Sequence, residues 1–238
     1  MISISNLSVE FGGIRPLDNL TVNLDKRIVG VVGPNGAGKT TLLNVLSGFV
    51  IPVSGTITAL GQDLLSMPAY RRAQWGLRRT FQTEQVVDDL TVWDNVAVML
   101  DTVRLSREAR IEQIQSALDL VGLTGKETRF GLELGAYERR LVEIARAIVG
   151  KPGIVLMDEP GAGLSEAESE GLRVIINSIP VVTQAMVVLV DHDVSLIAAT
   201  CDTTAVLDFG SLITYGPTNE VLRDERVRAA YLGKEVAQ

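Results

Sequence analysis

The run Ile28-Val29-Gly30-Val31-Val32, followed by Gly33-Pro34-Asn35-Gly36-Ala37-Gly38-Lys39-Thr40-Thr41, constrains the fold more than any other part of the chain. Its first five residues, four of them apolar, form a short run bounded by turn formers, as in a strand buried in a parallel sheet. Leu42, Leu43, Val45 and Leu46 then open an amphipathic helix expected to run to about Phe49. The connection from Gly33 to Thr40 has the spacing G-x4-G-K-[ST]. Glycines there let backbone N–H groups close around a phosphate without a Cβ in the way, and the helix N-terminus aims its partial positive charge at the same point. Lys39 can reach the β- and γ-phosphates of a nucleotide, and the Thr40 hydroxyl can ligate Mg²⁺. A glycine-rich turn can match such a spacing by accident. The strand before it and the helix after it are the context that separates the two readings.

Composition narrows what surrounds this loop. The 238 residues are 46% apolar and 21% charged, enough for a large core in one domain, or one domain with an inserted lobe. The longest apolar run, Ala185 to Val190, is far short of the ~20 residues that span a bilayer. Ile2 and Ile4 alternate with Ser3 and Ser5, a strand pattern rather than a signal peptide, so a soluble, cytosolic chain is expected. A net charge of −7 argues against a nucleic-acid partner, which requires a basic face. Arg71, Arg72, Arg78 and Arg79 form the densest basic cluster and read as a solvated helix face. Cys201 stands alone, so no disulfide framework is expected.

In chain order, residues 2–24 read as a β-meander: Ile2–Ser5, Leu7–Phe11, a Gly12-Gly13 turn, then Leu20–Leu24. Ser54–Leu60 reads as another strand, and Arg79–Thr83 ends the first half of the core. From about 84 to 150 the pattern turns helical: Ile111, Ile114, Leu118 and Val121, then Leu141, Ile144, Ala145 and Ile148, recur at spacings of three and four. This segment is expected to be a helical subdomain inserted between core residues 1–83 and 151–238. Ile154–Met157 is a short strand delivering Asp158 and Glu159; Ser165 to Glu168 is a capping box; Met186–Val190 delivers Asp191, His192 and Asp193. Thr204–Asp208 and Leu212–Thr214 read as a closing hairpin. Strands alternating with helices imply an α/β fold with a mainly parallel sheet, whose ligands lie at the carboxyl strand ends. The loop after Val32, the Asp158-Glu159 pair and His192 all fall on that edge.

Each part that phosphoryl transfer to water requires has a candidate. Asp158 ends a buried strand, as an acidic residue that holds Mg²⁺ must. Glu159 can act as general base toward an attacking water. Gln82 can give an amide oxygen to the metal and sense the γ-phosphate; the alternative is a surface glutamine. His192, the chain's one histidine, suits a hydrogen bond to the γ-phosphate; the alternative is a structural strand-end histidine. Phe11 can offer a ring face to adenine, although a strand Phe is more often core.

Together these residues resemble the nucleotide-binding subunit of an ATP-binding cassette (ABC) transporter. In that comparison Gly33–Thr41 is the Walker A loop, Phe81-Gln82 the Q-loop, Ile154–Glu159 Walker B with its glutamate, and His192 the H-loop. Phe11 falls where the family places its adenine-stacking aromatic. Arg79–Gln82, Asp158–Ser165 and the tail Ala230–Gly233 are similar to the branched-chain amino acid importers' ATPases. The resemblance implies a P-loop NTPase (RecA-like) core with an N-terminal antiparallel β-subdomain and an inserted helical subdomain. It implies ATP and Mg²⁺ as ligands, with phosphates held by Gly33, Pro34, Asn35, Gly36, Ala37, Gly38, Lys39, Thr40 and Thr41 and the metal by Thr40, Gln82 and Asp158. It further implies transmembrane permease subunits, an extracytoplasmic solute-binding protein, and a peripheral place on the cytoplasmic face of the inner membrane.

Two departures from the family pattern stand out. The signature Leu-Ser-Gly-Gly-Gln falls, counted back without gaps from Ile144–Ala147, on Leu134-Gly135-Ala136-Tyr137-Glu138, so Gly135 replaces the serine and Tyr137 the second glycine; a start at Leu132 instead puts Glu133 at the serine but needs extra residues. The backbone N–H of Gly135 remains a phosphate donor for a partner's site, but Tyr137 adds bulk. Ser165 stands where the D-loop more often has Asp or Asn. In this family one chain's Walker A and the other's signature clamp ATP between them. These departures favour a heterodimer with a second cassette, with a homodimer as the alternative. Rival functions are a soluble DNA-repair or chromosome ATPase, which needs a heptad insertion or a basic groove that the sequence lacks, and a non-catalytic regulatory module, against which Asp158, Glu159 and His192 speak.

Overall fold

The computed structural model describes residues 1–227. The first half of the chain gives β1 (Ile2–Phe11), β2 (Ile14–Leu24), β3 (Ile28–Val32), α1 (Lys39–Ser47), β4 (Ser54–Ala59), β5 (Gln62–Asp63), α2 (Ala69–Trp75) and β6 (Leu77–Arg79). Next come α3 (Val92–Ala97), α4 (Arg107–Leu120) and α5 (Ala136–Ile148), with short 3-10 turns at Val98–Leu100 and Gly131–Glu133. The remainder is β7 (Ile154–Asp158), α6 (Glu166–Thr183), β8 (Met186–Val190), α7 (Val194–Thr200), β9 (Thr203–Asp208), β10 (Ser211–Pro217) and α8 (Thr218–Val221). The tail Ala230–Gly233 lies outside the described residues.

Two sheets organise these elements. A four-stranded antiparallel sheet has the order β2-β1-β4-β5, and a six-stranded sheet the order β10-β9-β3-β8-β7-β6. In the latter, β9, β3, β8, β7 and β6 run parallel and only β10 is antiparallel. Every residue of β3, β7 and β8 is buried, which is why each reads as a continuous apolar run rather than an alternation. One sheet face, with Val29, Val31, Leu156 and Val188, packs on α1 and the antiparallel sheet. The other, with Val155, Met157, Val187 and Leu189, packs on α5, α6 and α7. Residues of α3, α4 and α5 share that second core, so the helical segment is seated directly on the sheet face.

Four local expectations change. The three-stranded meander is a two-stranded hairpin: β1 is continuous, and its register with β2 shifts between Ile4 and Leu7, around Asn6 at φ 49°. Asparagine tolerates the left-handed conformation, so the strand bends there instead of ending. β2 begins at Ile14 and not at Leu20. Helix α1 stops at Ser47, because Gly48 takes φ 83° and returns its N–H to Asn44 and Val45. The arginine cluster is only partly a solvated face: Arg71 is exposed, whereas the others turn inward. Arg72 is buried and its guanidinium caps α1 through the carbonyls of Val45 (2.5 Å) and Leu46 (2.8 Å). The Arg79 side chain is 6% exposed. Cys201 is a buried core residue whose thiol is pushed up by burial.

Because β3, β6, β7 and β8 run the same way, their carboxyl ends open on one rim. Val31 pairs with Val190, and Val190 with Asp158, so the glycine loop, the acidic pair and the His192 turn leave the sheet at one level.

Candidate functional site

The loop after β3 needs its glycines for space. A Cβ at Gly33 would stand 2.2 Å from the Leu207 carbonyl oxygen, and one at Gly38 2.2 Å from that of Pro16. Gly36, at φ 83°, faces open space. Bonds from Ala37 N–H to the Pro34 carbonyl and from Gly210 N–H to the Ala37 carbonyl, both 3.1 Å, pin the turn. No side chain caps α1 at Gly38, so the N–H groups of its first turn are left to an external acceptor. Lys39 is buried and donates to the carbonyls of Gly33 (2.6 Å) and Pro34 (3.0 Å). Burial lowers its pKa, opposed by the negative charges of Glu159 and Asp158, which places the ammonium in the field of both acids.

Opposite this loop stand the ends of β6, β7 and β8. Asp158 is buried and accepts a hydrogen bond from Arg79 Nη2 at 2.8 Å. Arg79 also donates to Asn44 Oδ1 (2.7 Å), which ties the aspartate to α1, and its guanidinium lies 5.0 Å from the centre of the Phe81 ring. Glu159 takes φ 48°, a left-handed conformation that costs a non-glycine residue roughly 1–2 kcal/mol. Its N–H is fixed to the Val190 carbonyl at 2.7 Å, and Gln82 Nε2 donates to its Oε2 at 2.8 Å. His192 Nδ1 stands 4.0 Å from the same carboxylate oxygen, on an exposed ring. Behind it Asp191 is buried, its carboxyl raised by burial, and accepts from the N–H groups of Gly161 (3.1 Å) and Asp193 (2.9 Å).

Asn35, Gly36, Ala37, Gly38, Lys39, Thr40, Thr41, Gln82, Glu159 and Pro16 wall one open cleft of about 290 Å³. An uncapped helix N-terminus, a lysine and glycine-shaped backbone suit a polyphosphate. A threonine hydroxyl, an amide oxygen and a carboxylate form a hard-oxygen donor set that suits Mg²⁺. Thus Lys39, Thr40, Gln82 and Glu159 share one cleft; Asp158 precedes Glu159 at the end of β7, and His192 stands 4.0 Å from the Glu159 carboxylate.

The remaining candidates lie elsewhere. Phe11 is 52% exposed at the tip of the β1–β2 hairpin, and Pro16 of the same hairpin supplies the cleft wall. Gly135 starts α5 with open space beside it, its N–H donating to Glu138 Oε2 at 3.1 Å. Tyr137 does not project over that N-terminus: it is half-buried and its hydroxyl lies against Gly171 of α6. Sequence reasoning missed the roles of Arg79, Asp191 and the buried Arg140–Glu143 pair on α5. Glu143 carried a signal, an acid inside the apolar run Leu141-Val142-Glu143-Ile144-Ala145.

The family described as ABC transporter matches residues 17–162. The high-affinity branched-chain amino acid transport ATP-binding protein LivG of Salmonella typhimurium is 33% identical, over 98% of both chains. The corresponding protein BraF of Pseudomonas aeruginosa is 30% identical over 98% of both. Among solved structures, the ADP conformation of MJ1267, an ATP-binding cassette of an ABC transporter, superposes with TM-score 0.85 at 25% identity, covering 98% of this chain and 99% of that one.

Proposed function

The chain belongs to the ABC transporter family as an ATP-hydrolysing, ATP-binding subunit, and on that premise we propose that it powers uptake of branched-chain amino acids or a related small solute. The observation that carries the reading is the cleft shared by Lys39, Thr40, Gln82 and Glu159, on a chain 33% identical to LivG across nearly its whole length.

In this reading the N–H groups of Gly36 to Thr41 and the Lys39 ammonium bind the β- and γ-phosphates. Thr40, Gln82 and Asp158 would hold Mg²⁺, which would further neutralise the phosphate charge. Arg79 holds the Asp158 carboxylate in place from β6. Glu159 takes a proton from the attacking water as its oxygen bonds to the γ-phosphorus; the bond from that phosphorus to the bridging oxygen breaks, leaving ADP and phosphate. Gln82 fixes Glu159 through its 2.8 Å hydrogen bond, and His192 donates to the γ-phosphate from the facing turn. Phe11 stacks on adenine from the hairpin tip.

The proposed partners follow. Gly135 and its neighbours complete a second cassette's site. With Tyr137 folded onto α6, this end of α5 lacks the serine hydroxyl and has its Gly135 N–H engaged by Glu138, which supports a heterodimer with one strong and one weak composite site. An apolar groove of about 420 Å³, walled by Phe49, Tyr70, Ala73, Leu77, Phe81 and Met99, opens beside the Q-loop and suits a cytoplasmic segment of a permease. No helix among the described residues is long and apolar enough to cross a membrane, consistent with a peripheral subunit held at the inner membrane's cytoplasmic face by that permease. Cargo is recognised by the permease and its extracytoplasmic solute-binding protein. ATPase rates of the chain alone, with a second cassette, and with permease in vesicles test the scheme. Stimulation at each step with leucine uptake is expected; full cooperative turnover by the chain alone contradicts the heterodimer, and assembled vesicles without ATP-driven uptake contradict the importer.

A further inference from the structure

The segment that carries Gln82 changes hands abruptly. Up to Thr80 it belongs to the sheet: Thr80 N–H donates to the Leu156 carbonyl at 2.9 Å, its hydroxyl accepts from Asp158 N–H at 3.4 Å, and Arg79 pairs with Asp158. From Phe81 onward it belongs to α5. Phe81 N–H donates to Glu143 Oε1 at 2.9 Å, and Arg140 Nη1 donates to the Phe81 carbonyl at 3.1 Å. Arg140 and Glu143 are themselves paired at 3.2 Å, their side chains 5% and 4% exposed. The same face of α5 continues the grip: Arg140 faces Glu84 at 3.6 Å, Arg139 donates to Asp88 at 2.7 Å, and Arg146 donates to the Gln85 carbonyl.

A buried ion pair is an expensive way to stabilise a fold, because desolvation offsets much of its attraction. Here each partner also bonds one side of a single residue's backbone, immediately before Gln82. One residue further, Gln82 crosses back to the sheet and holds Glu159 at 2.8 Å. We propose that Arg140 and Glu143 are positioning residues for hydrolysis: by clamping Phe81 they set where Gln82 meets Glu159, so the seating of α5 determines the geometry of the general base. This rests on the assignment of Glu159 as the base. It makes the α5 face, and not only the cleft wall, part of the apparatus that fixes the turnover rate.

The test uses the full chain for nucleotide binding and the complex purified with its permease for kinetics. Glu143→Ala is expected to lower kcat at least tenfold, with KM and the Kd of a fluorescent ATP analogue changed less than twofold. Glu143→Gln keeps an acceptor for Phe81 N–H and is expected to keep kcat within threefold of wild type. In a Gln82→Ala background the Glu143→Ala change should lower kcat less than twofold further, since the two act through one contact. If Glu143→Ala does not fold, Arg140→Lys, which keeps the charge and loses the fork, takes its place with the same expectations. An unchanged kcat in the folded variant, or equal losses in both backgrounds, overturns the proposal. Wild-type turnover by Glu159→Gln would instead remove the base on which it rests, a result distinguishable because it needs no change on α5.

Discussion

Arg79 Nη2 lies 2.8 Å from Asp158 Oδ2, with both side chains almost fully buried. One partner ends β6 and the other ends β7, so the pair locks two parallel strands at the rim where the nucleotide loop opens. Removing the arginine leaves a buried carboxylate without its cation, a change that costs about 3–5 kcal/mol. Arg79→Met is therefore expected to lower the urea midpoint sharply, and Arg79→Met combined with Asp158→Asn to recover part of the loss. A double variant no more stable than the single one would show that the pair is not what holds this corner.

The Tyr137 hydroxyl stands 2.7 Å from where a Cβ would lie at Gly171, so the glycine makes room for the hydroxyl. Alanine in a helix is worth up to about 1 kcal/mol over glycine. Gly171→Ala should realise more of that gain in a Tyr137→Phe background than in wild type, by about 0.5–1 kcal/mol in a double-mutant cycle. Equal gains in both backgrounds would mean that Tyr137 rests elsewhere.

The three glycines of the loop should not respond alike. Gly36→Ala enters open space at positive φ and should cost roughly 1–2 kcal/mol. Gly38→Ala adds a collision with the Pro16 carbonyl oxygen and should cost more, with loss of nucleotide binding. Thermal melts with and without ATP rank the variants; equal costs would contradict the loop geometry.

Burial raises the Glu143 carboxyl above its usual range, with Phe81 N–H and Arg140 opposing the shift. A raised carboxyl binds more protons in the folded state than in the unfolded one. Its burial penalty is therefore absent below the ordinary carboxylate value and complete above the raised one, so stability falls as pH climbs through that window. Glu143→Gln removes this dependence. Its stability relative to wild type should be more favourable at about pH 7 than at about pH 4, read from urea midpoints. A difference of opposite sign would mean that Arg140 outweighs burial.

Much of the site was legible because its signals are local. The glycine loop, the strand-end acids and the capping box of α6 each announce themselves within a few residues, and parallel strands bring their ends together without further information. Arg79 was illegible for the opposite reason. Its partners, Asp158 and Asn44, are distant in sequence, and a charged run gives no sign of which members fold inward. Tyr137 was misjudged similarly, since the glycine that receives it lies on another helix. In β1, the alternation of Ile2 and Ile4 breaks at Asn6, which a pattern reads as an end and the backbone resolves as a bend.

The central claim is that Glu159 works on a nucleotide held by the Gly33–Thr41 loop and Lys39. The most direct test measures ATP binding and ATP hydrolysis side by side in wild type, Lys39→Ala and Glu159→Gln. Binding should be lost in Lys39→Ala; in Glu159→Gln it should persist while hydrolysis falls by roughly 10²-fold or more, the scale of general base catalysis. Turnover at the wild-type rate in Glu159→Gln, or undiminished ATP affinity in Lys39→Ala, would contradict it.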